Sequence, residues 1–315
     1  MSRDIWFGVH VPPEGKNFDE MKSICRMVEE GGFDLFTITD HFLNMQNPNG
    51  SSDHPLECWT TLAGLAAVTS KIKLAPLVTC YKYRRPTVLA KMATTVDIIS
   101  NGRLILGIGA GNAGRNEAEF KTFFNGFPSN QERLRGLRET AEICKKMFTG
   151  QRTTYHGKLY RVDNVLNLPQ PVQKPIPIMI GGRGEKVALR IAARDADISH
   201  FHTSGLHDVD TVISALKVHC KDVGRDYCEI RKATSISLLL GNTMAEAEEK
   251  LRKRAKSSNQ PVEALKSRLG AGFGTPKRVT ENLQGYVDRG IGLITFMFQD
   301  LNDIETCSKE IISQL

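Results

Sequence analysis

The 315-residue sequence has no apolar run near the roughly 18 to 20 residues that a membrane-spanning helix requires. Its first residues lead directly into a strand-like segment and lack the apolar core of a secretory signal peptide. We therefore expect a cytoplasmic protein that does not enter a membrane.

Paired cysteines are also missing. The seven cysteines are scattered along the chain, and none forms a C-x-x-C pair. An odd number of dispersed cysteines in a long chain without a secretory signal is typical of reduced structural thiols rather than a disulfide framework.

The signatures of two common hydrolase classes are absent. There is no H-E-x-x-H zinc motif and no G-x-S-x-G nucleophile elbow. His200 and His202 could share one face of a strand, with His207 nearby, but a zinc or iron site needs further ligands that the sequence does not supply. We therefore expect no metal site.

Lys and Arg together number 42 against 35 Asp and Glu, which gives a formal net charge of +7. The densest basic segment, residues 250–256, would spread its charges around a helix, as a solvated helix face does. Nothing resembles a nucleic-acid-binding module. The positive charge instead suits a polyanionic small molecule.

Short apolar runs alternate with amphipathic segments along nearly the whole chain, which indicates βα units and a parallel sheet. The eight predicted strands are 5–11, 35–39, 72–80, 104–108, 176–180, 196–200, 234–240 and 293–298. Eight units in about 300 residues fit a single (β/α)₈ TIM barrel over 1–315. Insertions are expected at about 112–128, 151–170 and 257–275, the second as a hairpin or loop and the third as a mobile excursion. A doubly wound open sheet is the main alternative.

The run G-A-G-N-A-G at 109–114 matches the dinucleotide-binding fingerprint G-x-G-x-x-G. Its context differs, because it follows the fourth predicted strand, continues into a polar segment and has no second strand within the expected βαβ unit. In a barrel, glycines at this position would let the backbone and Asn112 approach a flat ring closely.

A second glycine run, Gly181, Gly182, Arg183 and Gly184, links the fifth predicted strand to a helix predicted over 185–194. A glycine turn before a helix N-terminus presents backbone N–H groups and partial positive charge to a phosphate. Arg183 could add a charge-assisted contact. An ordinary βα turn explains the same glycines.

Asp40 and His41 follow the second predicted strand, at the carboxyl-end face where barrel enzymes place their active sites. Adjacent residues there point in different directions, so the two need not touch each other. Either could bind a cofactor or move a proton near neutral pH. The alternative for Asp40 is a structural cap on the next segment.

Several motifs occur in a characteristic order. They are V-E-E-G-G-F-D at 28–34, T-D-H-F at 39–42, L-V-T at 77–79, Y-R-R-P at 83–86, L-A-K-M-A-T-T-V-D at 89–97, S-N-G-R-L-I-L-G-I-G-A-G at 100–111, K-P-I-P-I-M-I-G-G at 174–182 and G-T-P at 274–276. Together they resemble the luciferase-like family of flavin-dependent barrels, and more closely its F420-dependent oxidoreductase branch.

The resemblance implies that Asp40 and His41 are catalytic residues beside the deazaflavin cofactor F420, with Asp40 also contacting the cofactor. It implies that Leu77, Val78 and Thr79 form a bulge of the third strand behind the cofactor ring. A non-prolyl cis peptide, which is energetically costly, is expected near Leu77.

The same resemblance assigns the phosphate loop to Gly181, Gly182, Arg183 and Gly184. It places Asn112 and Asn116 along the pocket for the ring and its tail.

The implied function is hydride transfer between C5 of F420 and a small organic substrate, with the cofactor carrying the chemistry. An FMN-dependent luciferase-like monooxygenase, or a flavin-binding barrel without catalysis, would use the same loops. Asn112 and the segment 199–202 depart from the family's usual residues where a substrate should lie, which leaves its identity open. Relatives are commonly homodimers, so we expect a homodimer by analogy.

Overall fold

The structure, a computed structural model, describes residues 5–44, 54–112, 114 and 116–315. Within these residues the strands are β1 Trp6–His10, β2 Leu35–Ile38, β3 Lys73–Pro76, β4 Thr79–Cys80, β5 Leu106–Gly109, β6 Thr153–His156, β7 Arg161–Val165, β8 Ile178–Gly181, β9 Ile198–His200, β10 Arg231–Leu240, β11 Phe273–Gly274 and β12 Ile291–Phe298. The helices are α1 Phe18–Glu30, α2 Cys58–Val68, α3 Pro86–Ile99, α4 Glu117–Phe123, α5 Asn130–Met147, α6 Ala188–Asp195, α7 Leu206–Val223, α8 Met244–Ser257, α9 Val262–Leu269, α10 Pro276–Val287 and α11 Asp303–Glu310.

Nine of the strand segments lie on one parallel path, in the order β3-β2-β1-β12-β10-β9-β8-β5-β4. Its two ends, β3 and β4, are parts of one strand that is interrupted at Leu77 and Val78. A parallel bridge between Leu74 and Leu104 joins this strand to the segment that enters β5. The sheet therefore closes into a barrel of eight strand positions, which confirms the predicted fold and all eight predicted strands, with shifted ends.

Side chains alternate between the barrel interior and the surrounding helices, as the pleat of a strand requires. In β2, Leu35 packs inside the barrel with residues such as Met179 and Leu293. Phe36, its neighbour, packs into the larger cluster beneath the helices. Thr37, two positions after Leu35, therefore faces the interior nearer the carboxyl end.

Helix α1 shows how local sequence starts an outer helix. Asn17 accepts from the backbone N–H of Glu20, and the Glu20 side chain accepts from the backbone N–H of Asn17, which forms a capping box. Met21, Ile24 and Val28 then recur at helical spacing and are buried against the barrel.

The segment predicted as a hairpin or loop at 151–170 contains the antiparallel pair β6 and β7. The carboxylate of Glu139, on α5, accepts from the backbone N–H groups of Lys158, Leu159 and Tyr160 at 2.9 to 3.0 Å. Glu139 is fully buried, so this carboxylate fixes the turn of the hairpin against the barrel.

The segment predicted as a mobile excursion, residues 257–274, contains regular structure that was not predicted. Its central part folds as α9, and β11 then pairs with β10. Leu265, Leu269 and Phe273 are buried against β10 and α8. Their apolar spacing was masked in the sequence by neighbouring Gly, Ser and Lys residues.

One helix boundary also differs from prediction. The helix predicted at 185–194 begins at Ala188, after a turn at residues 185–187. Of the predicted 112–128 insertion, Ala113 and Arg115 lie outside the described residues.

The basic segment lies on α8, where acidic neighbours compensate its charge. Lys253 pairs with Glu249 at 2.6 Å and Lys250 with Asp303 at 3.0 Å. This arrangement agrees with a solvated helix face. No helix among the described residues is both long and apolar enough to span a bilayer.

Candidate active site at the mouth of the barrel

The carboxyl ends of the barrel strands bring predicted site residues, such as Asp40 and Gly181, and residues that were not predicted, such as His10, to one rim. His10 ends β1, Gly109 ends β5, Gly181 ends β8 and His200 ends β9. Asp40 lies two residues after β2. Because parallel strands share one direction, these residues meet at the mouth on the face that barrel enzymes use.

A smooth wall lies along one side of this mouth. The peptide bond between Leu77 and Val78 is cis, which confirms the expectation near Leu77. The side chain of Val78 faces the backbone of β5 and β8, where a Cβ added to Gly109 or Gly181 would lie 2.5 or 3.1 Å from its methyl groups. The two glycines thus leave room for Val78, and the three residues form what we call the glycine–valine wall.

Asp40 is held in a buried ion pair. Arg84 approaches both carboxylate oxygens, with Nη1–Oδ2 at 2.6 Å and Nη2–Oδ1 at 3.1 Å. Thr79 donates to the same carboxylate, and Arg84 also pairs with Glu57. Burial raises the pKa of Asp40 from its ordinary value, although Arg84 and Thr79 oppose that shift. Asp40 therefore joins the end of β2 to β4 and the segment after it.

His41 points to a different partner from Asp40. Its Nδ1 lies 3.0 Å from Oε2 of Glu119, a residue of α4 whose side chain has no exposed surface. The His41 side chain itself remains 22% exposed. The imidazole thus contacts a buried carboxylate through Nδ1, while part of the side chain remains exposed.

Glu119 is surrounded by hydrogen-bond donors. Its Oε1 accepts from the backbone N–H of Phe42 at 2.6 Å and of Leu43 at 3.2 Å. Its Oε2 accepts from the Tyr83 hydroxyl and, at 3.1 Å, from Nδ2 of Asn116. Burial alone would raise the pKa of Glu119, but the hydrogen bonds from His41, Tyr83 and the backbone outweigh it and lower that pKa.

The two asparagines predicted to line the pocket contact each other. Oδ1 of Asn116 accepts from the backbone N–H of Asn112 at 2.7 Å, and Asn116 also donates to the Tyr83 hydroxyl. Asn116 is buried. In this structure it therefore fixes the loop after β5 to the network around Glu119.

Two further histidines lie within the mouth. Nδ1 of His10 lies 2.9 Å from the Thr37 hydroxyl, and Nε2 of His200 lies 3.0 Å from the Ser235 hydroxyl. Burial lowers the pKa of His10 to about 4, with a smaller effect from His41. Burial lowers the pKa of His200 to about 3, helped by His10 and His202. Both imidazoles are therefore neutral near pH 7.

The loop predicted to bind a phosphate is open on one side. A Cβ added to Gly182 or Gly184 would approach only the Cβ of Ala188, at 3.4 or 3.5 Å. Arg183 is 55% exposed, and its Nη1 lies 2.9 Å from Oδ2 of Asp208. The loop thus offers space for a ligand, while the charge of Arg183 is compensated by α7.

The family model of the luciferase-like monooxygenases matches residues 5–292. The chain belongs to this family.

Individual comparisons agree with this luciferase-like assignment. The chain is 29% identical to the F420-dependent glucose-6-phosphate dehydrogenase of Kineococcus radiotolerans over 85% of its own length and 83% of the relative's. It superposes on the coenzyme F420-dependent tetrahydromethanopterin reductase of Methanopyrus kandleri with a TM-score of 0.81, at 20% identity over 99% of each chain. Its TM-score against the EDTA monooxygenase of Chelativorans sp. BNC1 is 0.85, at 14% identity over 99% of this chain and 93% of that one. The resemblance stated from the motifs is confirmed.

Sequence reasoning missed several residues of this luciferase-like site. Glu119 stood in a polar segment that gave no sign of a buried carboxylate, and Tyr83 and Arg84 were noted only as parts of a family motif. His10 carried no signal beyond its position at the end of a strand. That position was the available clue, because the last inward-facing residue of a barrel strand lies at the mouth.

Proposed function

We propose that the protein is an F420-dependent oxidoreductase, in which a hydride passes between C5 of the deazaflavin and a small organic substrate. The observation that carries this proposal is the glycine–valine wall at the same barrel mouth as His41, in a luciferase-like chain similar to F420-dependent dehydrogenases. When bound, F420 supplies the hydride chemistry, and the protein supplies position, hydrogen bonds and exclusion of water.

The residues at the mouth fit a flat, polar-edged ring. The glycine–valine wall places no side chain other than that of Val78 between the ring and the strands. The hydroxyl oxygens of Thr39, which precedes Asp40, and of Thr295, on β12, are buried and have no hydrogen-bond partner within the described structure. Unpaired buried hydroxyls are costly, and a ring with carbonyl and N–H groups at its edge would satisfy them.

Each predicted contact residue then has a distinct part. Leu77, Val78 and Thr79 would lie behind the ring, and Gly181, Gly182 and Gly184 would leave space for the anionic tail near the start of α6. Arg183 can reach that tail if it exchanges its contact with Asp208. Asn112 borders the opening, whereas Asp40 and Asn116 shape the site through their buried partners.

His41 is the residue we assign to proton transfer. Its side chain is partly exposed just beyond the carboxyl end of β2, and imidazole groups exchange protons readily near neutral pH. Loss of a hydride from a C–H bond beside a hydroxyl releases a proton from that hydroxyl, and His41 would accept it. In the reverse direction His41 would return the proton to the forming hydroxyl.

Fluorescence titration of the purified protein with F420 and, separately, with FMN tests the cofactor. We expect F420 to bind and Gly181→Val to abolish that binding, because the added side chain would occupy the wall beside Val78. Thermal unfolding of the variant checks that it remains folded. Tight FMN binding without F420 binding would instead identify a flavin monooxygenase and contradict the proposal.

Turnover is tested by following F420 absorbance with a panel of alcohols and carbonyl compounds. We expect His41→Ala to lower kcat by roughly 100-fold or more while leaving F420 affinity within a few-fold. His156→Ala, on the exposed hairpin, is the matched control. Equal losses of turnover and affinity would make His41 a binding residue, and binding without turnover of any compound would favour a non-catalytic flavin-binding protein.

A further inference from the structure

We infer that Glu119 is a positioning residue, which fixes His41 in one tautomer, with the proton on Nδ1 and the lone pair on Nε2 directed to the mouth. The hydrogen bond between Nδ1 of His41 and Oε2 of Glu119 carries the inference. Its kinetic consequence rests on the proposed function, but the tautomer itself belongs to the free protein.

The donors around Glu119 decide which atom holds the proton. Phe42 and Leu43 direct backbone N–H groups at Oε1. A backbone N–H group can donate a hydrogen bond but cannot accept one from a protonated carboxyl group. Asn116 directs its amide NH₂ at Oε2. A carboxyl group surrounded by donors is ionised, and an ionised carboxylate only accepts hydrogen bonds. The ring nitrogen that faces it must therefore carry a proton.

The opposite nitrogen follows from this constraint. A neutral imidazole has one N–H, so protonation of Nδ1 leaves Nε2 as an acceptor. Because Nδ1 contacts a side chain without exposed surface, the 22% of the His41 side chain that is exposed lies away from that contact. In this neutral tautomer, His41 presents a proton acceptor to a substrate hydroxyl.

Asp40, although adjacent in sequence, does not perform this task. Both of its oxygens are engaged by Arg84 and Thr79. Glu119 instead reaches His41 from α4, after the glycine-rich loop. Its contacts with Phe42 and Leu43 also hold the backbone that follows His41, so the same carboxylate sets the position and the tautomer of the ring.

The tautomer can be read from ¹⁵N chemical shifts of the His41 ring in cofactor-free protein, assigned by comparison with His41→Gln. We expect a protonated Nδ1 in the wild type. In Glu119→Gln, the amide oxygen should stay with the two backbone N–H groups and the NH₂ should face His41. The proton should then move to Nε2. A wild-type ring with its proton on Nε2 would overturn the inference, whatever the cofactor proves to be.

Kinetics then separates positioning from a structural role. We expect Glu119→Gln to lower kcat by about 10-fold to 100-fold with F420 affinity unchanged. Glu117→Gln is the matched control, because Glu117 lies on the same helix with 48% exposure and pairs with Lys121. Control activity should stay within two-fold of wild type, about the effect of a surface change.

A double-mutant cycle tests whether Glu119→Gln lowers kcat through His41 or through a general disturbance of the site. If Glu119 acts through His41, the substitution should have no further effect in a His41→Ala background. Fully additive losses would show that Glu119 acts independently and would overturn the positioning role. Tyr83→Phe retains the carboxylate, so it should retain the Nδ1 proton even if Glu119→Gln fails to fold. A changed tautomer in Tyr83→Phe would contradict the inference.

Discussion

At the residue scale, the two buried carboxylates at the mouth, Asp40 and Glu119, differ in the groups that bind them. Asp40 is paired with a guanidinium, whereas Glu119 is surrounded by neutral donors and an imidazole. A buried ion pair does not by itself imply large stabilisation, but removal of one partner leaves an uncompensated charge. The roles of the two carboxylates should therefore be distinguishable by stability and by kinetics.

Replacing Arg84 by Met should lower the free energy of unfolding by about 3 kcal/mol at neutral pH, because Asp40 would be left buried and charged. Burial already raises the pKa of Asp40, so protonation should reduce this loss as the solution becomes acidic. Urea unfolding at about pH 7 and about pH 5 measures both effects.

Arg85→Met is the control for this substitution, because Arg85 is the adjacent residue and is exposed. Its effect should be within about 0.5 kcal/mol. A loss for Arg84→Met that equals the control, or that grows on acidification, would contradict the assignment of a buried pair.

Prediction of the site from this sequence succeeded for some residues and failed for others. Asp40 and His41 were found because they follow a recognisable strand and belong to a motif. Glu119 was not found, because a glutamate on a short polar helix looks solvated until the fold places Tyr83 and the backbone of Phe42 around it. Burial of a charged residue depends on contacts far apart in sequence, here between residues 41 and 119.

At the scale of secondary-structure elements, the hairpin of β6 and β7 depends on one side chain. Glu139 supplies the acceptor for three backbone N–H groups at the turn. Its role matches that of Glu119, since in both cases a helix presents a buried carboxylate to the backbone of a loop. Loss of such an acceptor leaves several donors unsatisfied.

We expect Glu139→Ala to speed amide hydrogen exchange at Lys158, Leu159 and Tyr160 by at least about 10-fold, since local opening no longer breaks three hydrogen bonds. Exchange in the barrel strands should change little. Glu305→Ala is the control, because Glu305 is exposed and pairs with Lys309 on the same helix. Unchanged protection at the turn would contradict the anchoring role.

Strands and helices were predictable where the spacing of their apolar residues was clear. The strands are short apolar runs between turn residues, and eight of them alternating with helices fitted a barrel, with a doubly wound open sheet as the alternative. Helix α9 was missed because it has only eight residues, several of them charged, and so shows a weak helical spacing of apolar residues. Its buried side chains pack against β10 and α8, which are contacts that the local sequence does not reveal. The start of α6 was placed early because a turn at residues 185–187 continues the glycine loop without a capping residue to mark the boundary.

At the scale of the whole molecule, the neutral histidines of the mouth link stability to pH. The pKa of His10 is lowered to about 4 and that of His200 to about 3, from 6.5. Above about pH 6.5 both are neutral in the folded and the unfolded chain, so this contribution is complete there. As the pH falls below that value, the unfolded chain binds protons that the folded chain does not, and stability is lost.

We therefore expect the free energy of unfolding to fall by about 1.4 kcal/mol per pH unit for each histidine between about pH 6 and about pH 4. Denaturant titrations across that range measure the slope, and His200→Gln should reduce it. His156→Gln replaces an exposed histidine and should not. A wild-type slope that His200→Gln leaves unchanged would contradict the prediction.

The pairing of β1 with β12 has a consequence for synthesis. Trp6 lies opposite Leu293, so this seam of the barrel joins segments from nearly opposite ends of the described chain. Until β12 has emerged from the ribosome, β1 and β10 each present an open sheet edge, and such edges recruit other chains. A nascent or truncated chain that stops before β12 should therefore depend on chaperones far more than the finished barrel does.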